Sequence, residues 1–240
     1  MNSPSPANSM TGVAEDLWFV WKSGPMPGAL NMAWDETLLE FSQVIGRPIL
    51  RFYGWTEPAA TFGYFQRYAS VEQLVSLRPI IRRPTGGGIV PHDCDWTYSI
   101  AIPKSHPWYG IAARPAYARI HQWLHSAFQL VGLDTRLANA DVDGRGRCFA
   151  GAVRSDIMFG ERKIAGAALR RTRDGFLAQG SVQPPACAPP RSEWEAAVQV
   201  VGNRLLRIVW EPWAPDNDLT RRACQLSEEK YSQASYNQAR

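Results

Sequence analysis

The sequence predicts an α+β fold in which mixed, mostly antiparallel sheets are flanked by helices. Runs rich in β-branched and aromatic residues at 49–53, 80–83 and 96–102, with more between 156 and 183, read as strands. Helical patterns fall among them without a regular βα alternation, which disfavours a doubly wound parallel sheet. No internal repeat or heptad is visible.

Residues 1–14 carry neither a basic n-region nor an apolar h-region. They read as a disordered tail rather than a secretion signal. Over 31–42, Met32, Leu38, Leu39 and Phe41 lie among acidic residues in a helical pattern. The strand at 49–53 follows, and 80–83 leads another into a glycine-rich loop. Trp96-Thr97-Tyr98-Ser99-Ile100-Ala101-Ile102 has β-branched and aromatic residues in near alternation and reads as a strand. A helix spans 114–131: Tyr117, Ile120, Leu124, Phe128 and Val131 recur at three- and four-residue steps. Pro115 fits its first turn and Gly132 stops it. Two or three strands fill 156–183, a proline-rich linker covers 186–190, and helices are expected at 194–209 and 218–231.

A chain of 240 residues, 45% apolar and 20% charged, suits one soluble globular domain, assigned here to 15–240 without an accessory domain after it. The formal net charge of +4 is mild, and no lysine–arginine block appears, so specific nucleic-acid binding is not expected. No apolar run reaches the roughly twenty residues that span a bilayer. A cytoplasmic location is the default, with reduced cysteines. Cys94, Cys148, Cys187 and Cys224 are widely spaced, which gives neither a disulfide framework nor a zinc motif. His121 and His125 form an i, i+4 pair, but no third ligand lies near them in sequence, and no metal site is predicted.

Two clusters carry chemistry. Arg82-Arg83-Pro84-Thr85-Gly86-Gly87-Gly88-Ile89-Val90-Pro91-His92-Asp93 places three glycines after two arginines. Glycine lets the backbone come close to a ligand and present its N–H groups, and guanidinium groups favour a carboxylate or phosphate. A structural turn is the plainer alternative. Downstream, Gly160-Glu161-Arg162-Lys163-Ile164-Ala165-Gly166-Ala167-Ala168 sets one lysine beside an apolar run. Only four of the 26 basic residues are lysines (Lys22, Lys104, Lys163 and Lys230), so Lys163 stands out. Its compact ammonium suits the holding of a carbonyl or phosphate; a surface turn would also explain it.

Together these clusters resemble the lipoate/octanoate branch of the biotin/lipoate protein ligase superfamily. Other segments match in order: Asn31-Met32-Ala33-Trp34-Asp35-Glu36, Arg51-Phe52-Tyr53-Gly54-Trp55, Gly63-Tyr64-Phe65-Gln66, Gln179-Gly180-Ser181-Val182 and Lys230-Tyr231. The resemblance covers nearly all of 15–235 and implies the biotin/lipoate ligase catalytic-domain fold. It also implies protein lipoylation, by one of two reactions. Cys148 in Arg147-Cys148-Phe149, fifteen residues before Lys163, resembles the nucleophile of cysteine-dependent octanoyltransferases, as does His92-Asp93-Cys94-Asp95-Trp96-Thr97-Tyr98-Ser99. Gly88, where those transferases commonly carry arginine, and the Ala-Gly after Phe149 resemble them less. A triple glycine is usual in ATP-dependent lipoate ligases.

On the transferase reading, Cys148 attacks a thioester of acyl carrier protein, or takes the group from a lipoylated donor. It then passes octanoyl or lipoyl to a lysine of a lipoyl domain of 2-oxoacid dehydrogenases or of glycine cleavage H protein, with no cofactor. Lys163 would lower the thiol pKa and contact the carbonyl, and Gly86, Gly87 and Gly88 would line its site, with Gly166 and Ala167 beside the lysine. Arg82 or Arg83 would order the loop. His92 would act as a general base or sit as a buried structural residue, and Cys94 is a rival nucleophile. On the ligase reading, ATP and Mg²⁺ act with lipoate and Cys148 is a bystander. A non-catalytic acyl- or lipoyl-protein-binding domain is the third possibility.

Overall fold

In a computed structural model that describes residues 15–141 and 151–239, the strands form two sheets. In chain order they are β1 (Asp16–Met26), β2 (Ile49–Trp55), β3 (Ala59–Phe62), β4 (Ile80–Arg82), β5 (Val90–His92), β6 (Trp96–Pro103), β7 (Arg136–Leu137), β8 (Ile157–Phe159), β9 (Arg162–Arg171), β10 (Gly175–Val182) and β11 (Ile208–Pro212). The large sheet has the order β11-β1-β2-β6-β10-β9-β8-β7, and the small one β4-β3-β5. Strand β1 runs parallel to both its neighbours, and β3 runs parallel to β4. All other pairings are antiparallel.

The helices are α1 (Gly28–Glu40), α2 (Ser42–Ile45), α3 (Tyr68–Glu72), α4 (Ala113–Leu130), α5 (Arg191–Leu206), α6 (Asn217–Leu226) and α7 (Ala234–Asn237). Among the described residues, no helix is long and apolar enough to cross a membrane.

The near-alternation of β6 marks its two surroundings. Tyr98, Ile100 and Ile102, with Leu50 and Phe52 of β2, face the main core with Ile120, Trp123 and Phe128 of α4 and Trp194 and Val198 of α5. The other side meets α1, where Trp34 and Leu38 pack with Ile49 and Ala101, and Leu219 and Ala223 of α6 cover them. Helix α1 is thus wedged between sheet and α6, and its polar residues Asn31, Asp35 and Thr37 are buried with its apolar ones.

Asp35 has a fully buried side chain. Its Oδ1 accepts from Arg51 Nη1 (2.8 Å) and Ser99 Oγ (2.7 Å), and its Oδ2 from the Tyr53 hydroxyl (2.8 Å) and Gln179 Nε2 (2.7 Å). Arg51 in turn donates to Ser23 Oγ and to the carbonyl and side-chain oxygens of Asn31. Burial, and then the negative charge of Asp35, hold the Tyr53 hydroxyl well above the ordinary tyrosine pKa.

Several boundaries differ from the sequence expectation. The first helix starts at Gly28 rather than 31, directly after Pro27, whose fixed φ suits a helix entry. The helix expected over 194–209 ends at Leu206, and Arg207 turns left-handed at φ 57°. Ile208 then begins an edge strand whose apolar residues had mimicked another helical turn, and Asn203 Nδ2 ties back to the Ile208 carbonyl. The helix expected over 218–231 likewise stops at Leu226 and widens into a π-helical turn at Ser227–Tyr231. Strand β1 was not anticipated, although Trp18 and Trp21 on its two faces are both buried.

Removing Asp35 would strand a buried guanidinium. Asp35→Ala is therefore expected to lower unfolding stability by about 3–5 kcal/mol, measured by urea denaturation. A loss below about 1 kcal/mol would show that Arg51 finds other partners.

Candidate functional site

Strand registry carries polar residues across the sheet in two adjacent rows. Arg51 pairs with Ser99, Ser99 with Gln179 and Gln179 with Ala168; one step along, Tyr53 pairs with Thr97, Thr97 with Ser181 and Ser181 with Gly166. These rows underlie a cavity of about 600 Å³ between the large sheet, α1 and the small sheet. Its described lining includes Met32, Tyr53, Thr97, Gln179 and Ser181 on one side, Arg83, Gly87, Gly88 and His92 on another, and Lys163, Gly166 and Ala167 with Tyr117. The two motif clusters, some seventy residues apart in sequence, therefore meet at one opening.

The glycine loop is shaped by close backbone contact. Arg83 folds onto it, with Nε 3.0 Å and Nη2 2.6 Å from the Gly86 carbonyl oxygen. Gly87 sits at φ 86°, a conformation that favours glycine, and any Cβ there would lie 2.7 Å from Arg83 Nη2. A Cβ on Gly63 would lie 2.0 Å from the Gly87 carbonyl oxygen, so the turn at Gly63 can stack on the loop only as glycine. Tyr64 N donates to the Thr85 carbonyl (2.9 Å), and Thr85 Oγ1 donates to Gln179 Oε1 (2.7 Å), which joins the loop to the Asp35 network.

Lys163 reaches the cavity from β9. Its Nζ is 2.7 Å from Asp156 Oδ2, and the Asp156 side chain is fully buried. Asp156 also accepts from the Val153 amide (2.7 Å) and from the Tyr117 hydroxyl, which itself accepts from the Ala167 amide at 3.4 Å. Burial, and then the Asp156 charge, raise the Tyr117 hydroxyl well above its ordinary pKa, so it stays a donor. Gly166 makes room for the lysine: a Cβ there would stand 2.7 Å from Lys163 Cε and 2.9 Å from Nζ. A fixed cation opposite backbone glycines can orient and polarise a carbonyl or carboxylate.

Other predicted residues fall differently. Arg82 does not line the cavity; its buried guanidinium turns the other way, onto backbone carbonyls of residues 64, 66, 236 and 237. Gly86 gives its carbonyl to Arg83 and is not among the lining residues, unlike Gly87 and Gly88. His92 lines the cavity with both ring nitrogens engaged, Nδ1 with Asp95 Oδ2 and Nε2 with Thr61 Oγ1, each at 2.9 Å. It stacks on Trp55 at 3.8 Å, which fits a structural wall better than a base waiting for a proton. Cys94 is exposed and borders a separate hollow beyond that wall. Cys148 lies outside the described residues; Gly151, three positions after it in sequence, lines the cavity.

Sequence reasoning missed Asp156, Tyr117 and the full role of Gln179. Tyr117 reads as one more core position of an amphipathic helix, and nothing marks a lone Asp before a strand as the partner of a lysine seven residues on.

His121 is also buried behind this site, with its ring centroid 4.0 Å from that of Tyr117. Its Nδ1 faces the Tyr117 carbonyl at 3.0 Å and so carries the proton. Among the described residues, no group forms a metal-binding cluster.

The architecture is that of lipoate-protein ligase catalytic domains. Ta0514, a putative lipoate protein ligase from T. acidophilum, superposes with a TM-score of 0.77 at 21% identity, covering 92% of this chain and 98% of its own. A lipoate-protein ligase A solved with ATP gives 0.75 at 21% identity, over 91% of this chain and 97% of its own. Residues 27–183 match the family described as "Lipoyl protein ligase A/B catalytic domain", and the chain belongs to that family. Octanoyltransferase LipM of Geobacillus kaustophilus is 35% identical over 187 residues, 71% of this chain and 66% of its own length. LipM of Anoxybacillus flavithermus is 34% identical over 185 residues, 70% of this chain and again 66% of its own. The chain thus spans just under two thirds of the length of these relatives.

His121 gives the site a pH signature. Burial lowers its pKa from 6.5 to about 4, so below pH 6.5 the unfolded chain takes up a proton that the folded one refuses. The resulting stability is complete above about pH 6.5, falls as pH drops towards 4, and is constant below. His121→Phe should remove about 2 kcal/mol of the stability difference between pH 7 and pH 4.5, read from urea midpoints. An unchanged difference would contradict a neutral buried imidazole.

Proposed function

We propose that this protein transfers an octanoyl group, or a close acyl relative, from a thioester donor to a lysine of a lipoyl-domain protein. The observation that carries this reading is its 35% identity to octanoyltransferase LipM, whose alignment spans most of the chain. The cavity supports it, because a linear acyl chain fits a hollow of about 600 Å³ walled by Met32, Val90, Ala167 and Ala168. Acyl carrier protein is the proposed donor, and lipoyl domains of 2-oxoacid dehydrogenases or glycine cleavage H protein are the proposed acceptors. The work would take place in the cytoplasm, where thiols stay reduced.

Cys148 is the proposed nucleophile. Its thiolate attacks the donor thioester carbon; the new C–S bond forms as the donor's C–S bond breaks, and the departing thiolate takes a proton. A lysine amine of the acceptor then attacks the acyl-enzyme. The amide forms, the Cys148 thiolate leaves, and the amine's proton passes to solvent. Exchange between thioesters is nearly thermoneutral and amide formation is downhill, so no ATP is required. Lys163, held in place by its ion pair with Asp156, polarises the acyl carbonyl and favours the thiolate, while the Gly87–Gly88 backbone borders the same opening.

A second reading is favoured by the Gly86-Gly87-Gly88 triplet: an ATP-dependent lipoate ligase, in which Lys163 and the loop hold an acyl-adenylate, with Mg²⁺ assisting.

Intact-mass spectrometry after mixing with octanoyl carrier protein, without ATP, separates the two. An octanoyl adduct that hydroxylamine removes and Cys148→Ala lacks is expected. Transfer seen only with free acid, ATP and Mg²⁺ would establish the ligase. In addition, Gly166→Ala should retain the fold yet slow adduct formation at least tenfold, because the added methyl displaces the Lys163 ammonium. An unaltered rate would remove Lys163 from the chemistry.

A further inference from the structure

Arg82 belongs to the glycine-loop motif but serves a different part of the molecule. Its side chain is almost wholly buried. Nη1 donates to the carbonyls of Tyr64 and Gln66, both at 2.7 Å. On its other side, Nε donates to the Tyr236 carbonyl (3.3 Å), Nη2 to that of Asn237 (3.0 Å), and the Arg82 amide to Asn237 Oδ1 (2.8 Å). The guanidinium therefore joins α7 to the 63–66 turn, and that turn stacks on Gly87 without space for a methyl group.

Asn237 completes the joint. Its side chain is buried and uses both ends, the oxygen on the Arg82 amide and Nδ2 on the carbonyls of Tyr231 (2.9 Å) and Gln233 (3.2 Å). The segment is held from below independently of Arg82. Lys230 Nζ lies 2.6 Å from Glu36 Oε2, and the Tyr231 hydroxyl donates to the same oxygen at 2.8 Å. One end of the 230–237 segment is thus anchored to α1, and the other holds Arg82, which reaches the 63–66 turn.

We propose that Asn237 is a positioning residue, and that the 230–237 segment acts as a clasp which sets the glycine loop through Arg82 and the 63–66 turn. The consequence for catalysis rests on the acyl-transfer reading above; the structural coupling does not. The carboxamide accepts from the Arg82 amide and donates to the Tyr231 and Gln233 carbonyls, so truncation at 237 breaks both links at once. Asparagine at 237 should therefore matter to a loop that its side chain never touches.

Hydrogen–deuterium exchange on the full chain tests this. In Asn237→Ala, amides of peptides covering 63–67 and 84–88 are expected to exchange at least fivefold faster, with 96–103 and 175–182 unchanged. Asn237→Asp keeps the oxygen that accepts from Arg82 but turns a carboxylate oxygen towards the Tyr231 and Gln233 carbonyls, so it should accelerate exchange in the same two regions; it also serves as the test protein should the alanine variant not fold. In the acyl-adduct assay, Asn237→Ala should lower the maximal rate about tenfold with less than a twofold change in half-saturating donor. Unchanged loop exchange, or equal acceleration in all four regions, would overturn the clasp. Faster loop exchange with an unaltered adduct rate would overturn its role in positioning. If the wild type forms no adduct at all, the acyl-transfer reading fails, while the exchange data still decide on the clasp.

Discussion

A carboxylate removed from water must be matched by donors, and Asp35 is matched by four, from Arg51, Tyr53, Ser99 and Gln179. Those donors sit on β2, β6 and β10, so a single buried charge fixes how α1 lies against three adjacent strands. A pair of this kind adds little compared with an apolar substitute, but it is costly to break and admits few alternative registers. The glycine loop depends on the same centre, because Gln179 donates to Asp35 with its nitrogen and accepts from Thr85 with its oxygen.

The sheet accordingly has two characters at once. On one face, tryptophans and aliphatic side chains from α4 and α5 make a dry core. On the other, Ser99 and Gln179 meet Asp35 of α1, and Thr97, Gln179 and Ser181 border the cavity. Glycines then let the groups of the proposed site come close: Gly63 admits the Gly87 backbone, and Gly166 admits the head of Lys163. The site is built largely from the absence of side chains at a few positions, and rigid buried polar networks hold those positions in place.

Much of this could be read from the residues. The near-alternation of 96–102 announced a strand, and the spacing of Ile120, Leu124 and Phe128 announced α4. The two motif clusters and the Gln179-Gly180-Ser181 strand were visible as patterns, and the structure brings them to one cavity. What was hidden required knowledge of registry. That Asp156 meets Lys163, or that Arg82 turns from the loop towards Asn237, depends on contacts between distant segments that no local pattern encodes. Helix ends failed for a local reason: Ile208-Val209-Trp210 continues the apolar period of α5 although the backbone reverses at Arg207.

The hollow between the glycine loop and Lys163 is the proposed seat of the acyl chain. A crystal structure of the full chain with an amide analogue of octanoyl-pantetheine, which cannot be transferred, tests this most directly. The alkyl chain is expected among Met32, Val90, Ala167 and Ala168, with the carbonyl oxygen within hydrogen-bonding distance of Lys163 Nζ or the Gly87–Gly88 amides. An analogue bound with its carbonyl away from Lys163 and the glycine loop, or lodged in the hollow beside Cys94, would contradict it.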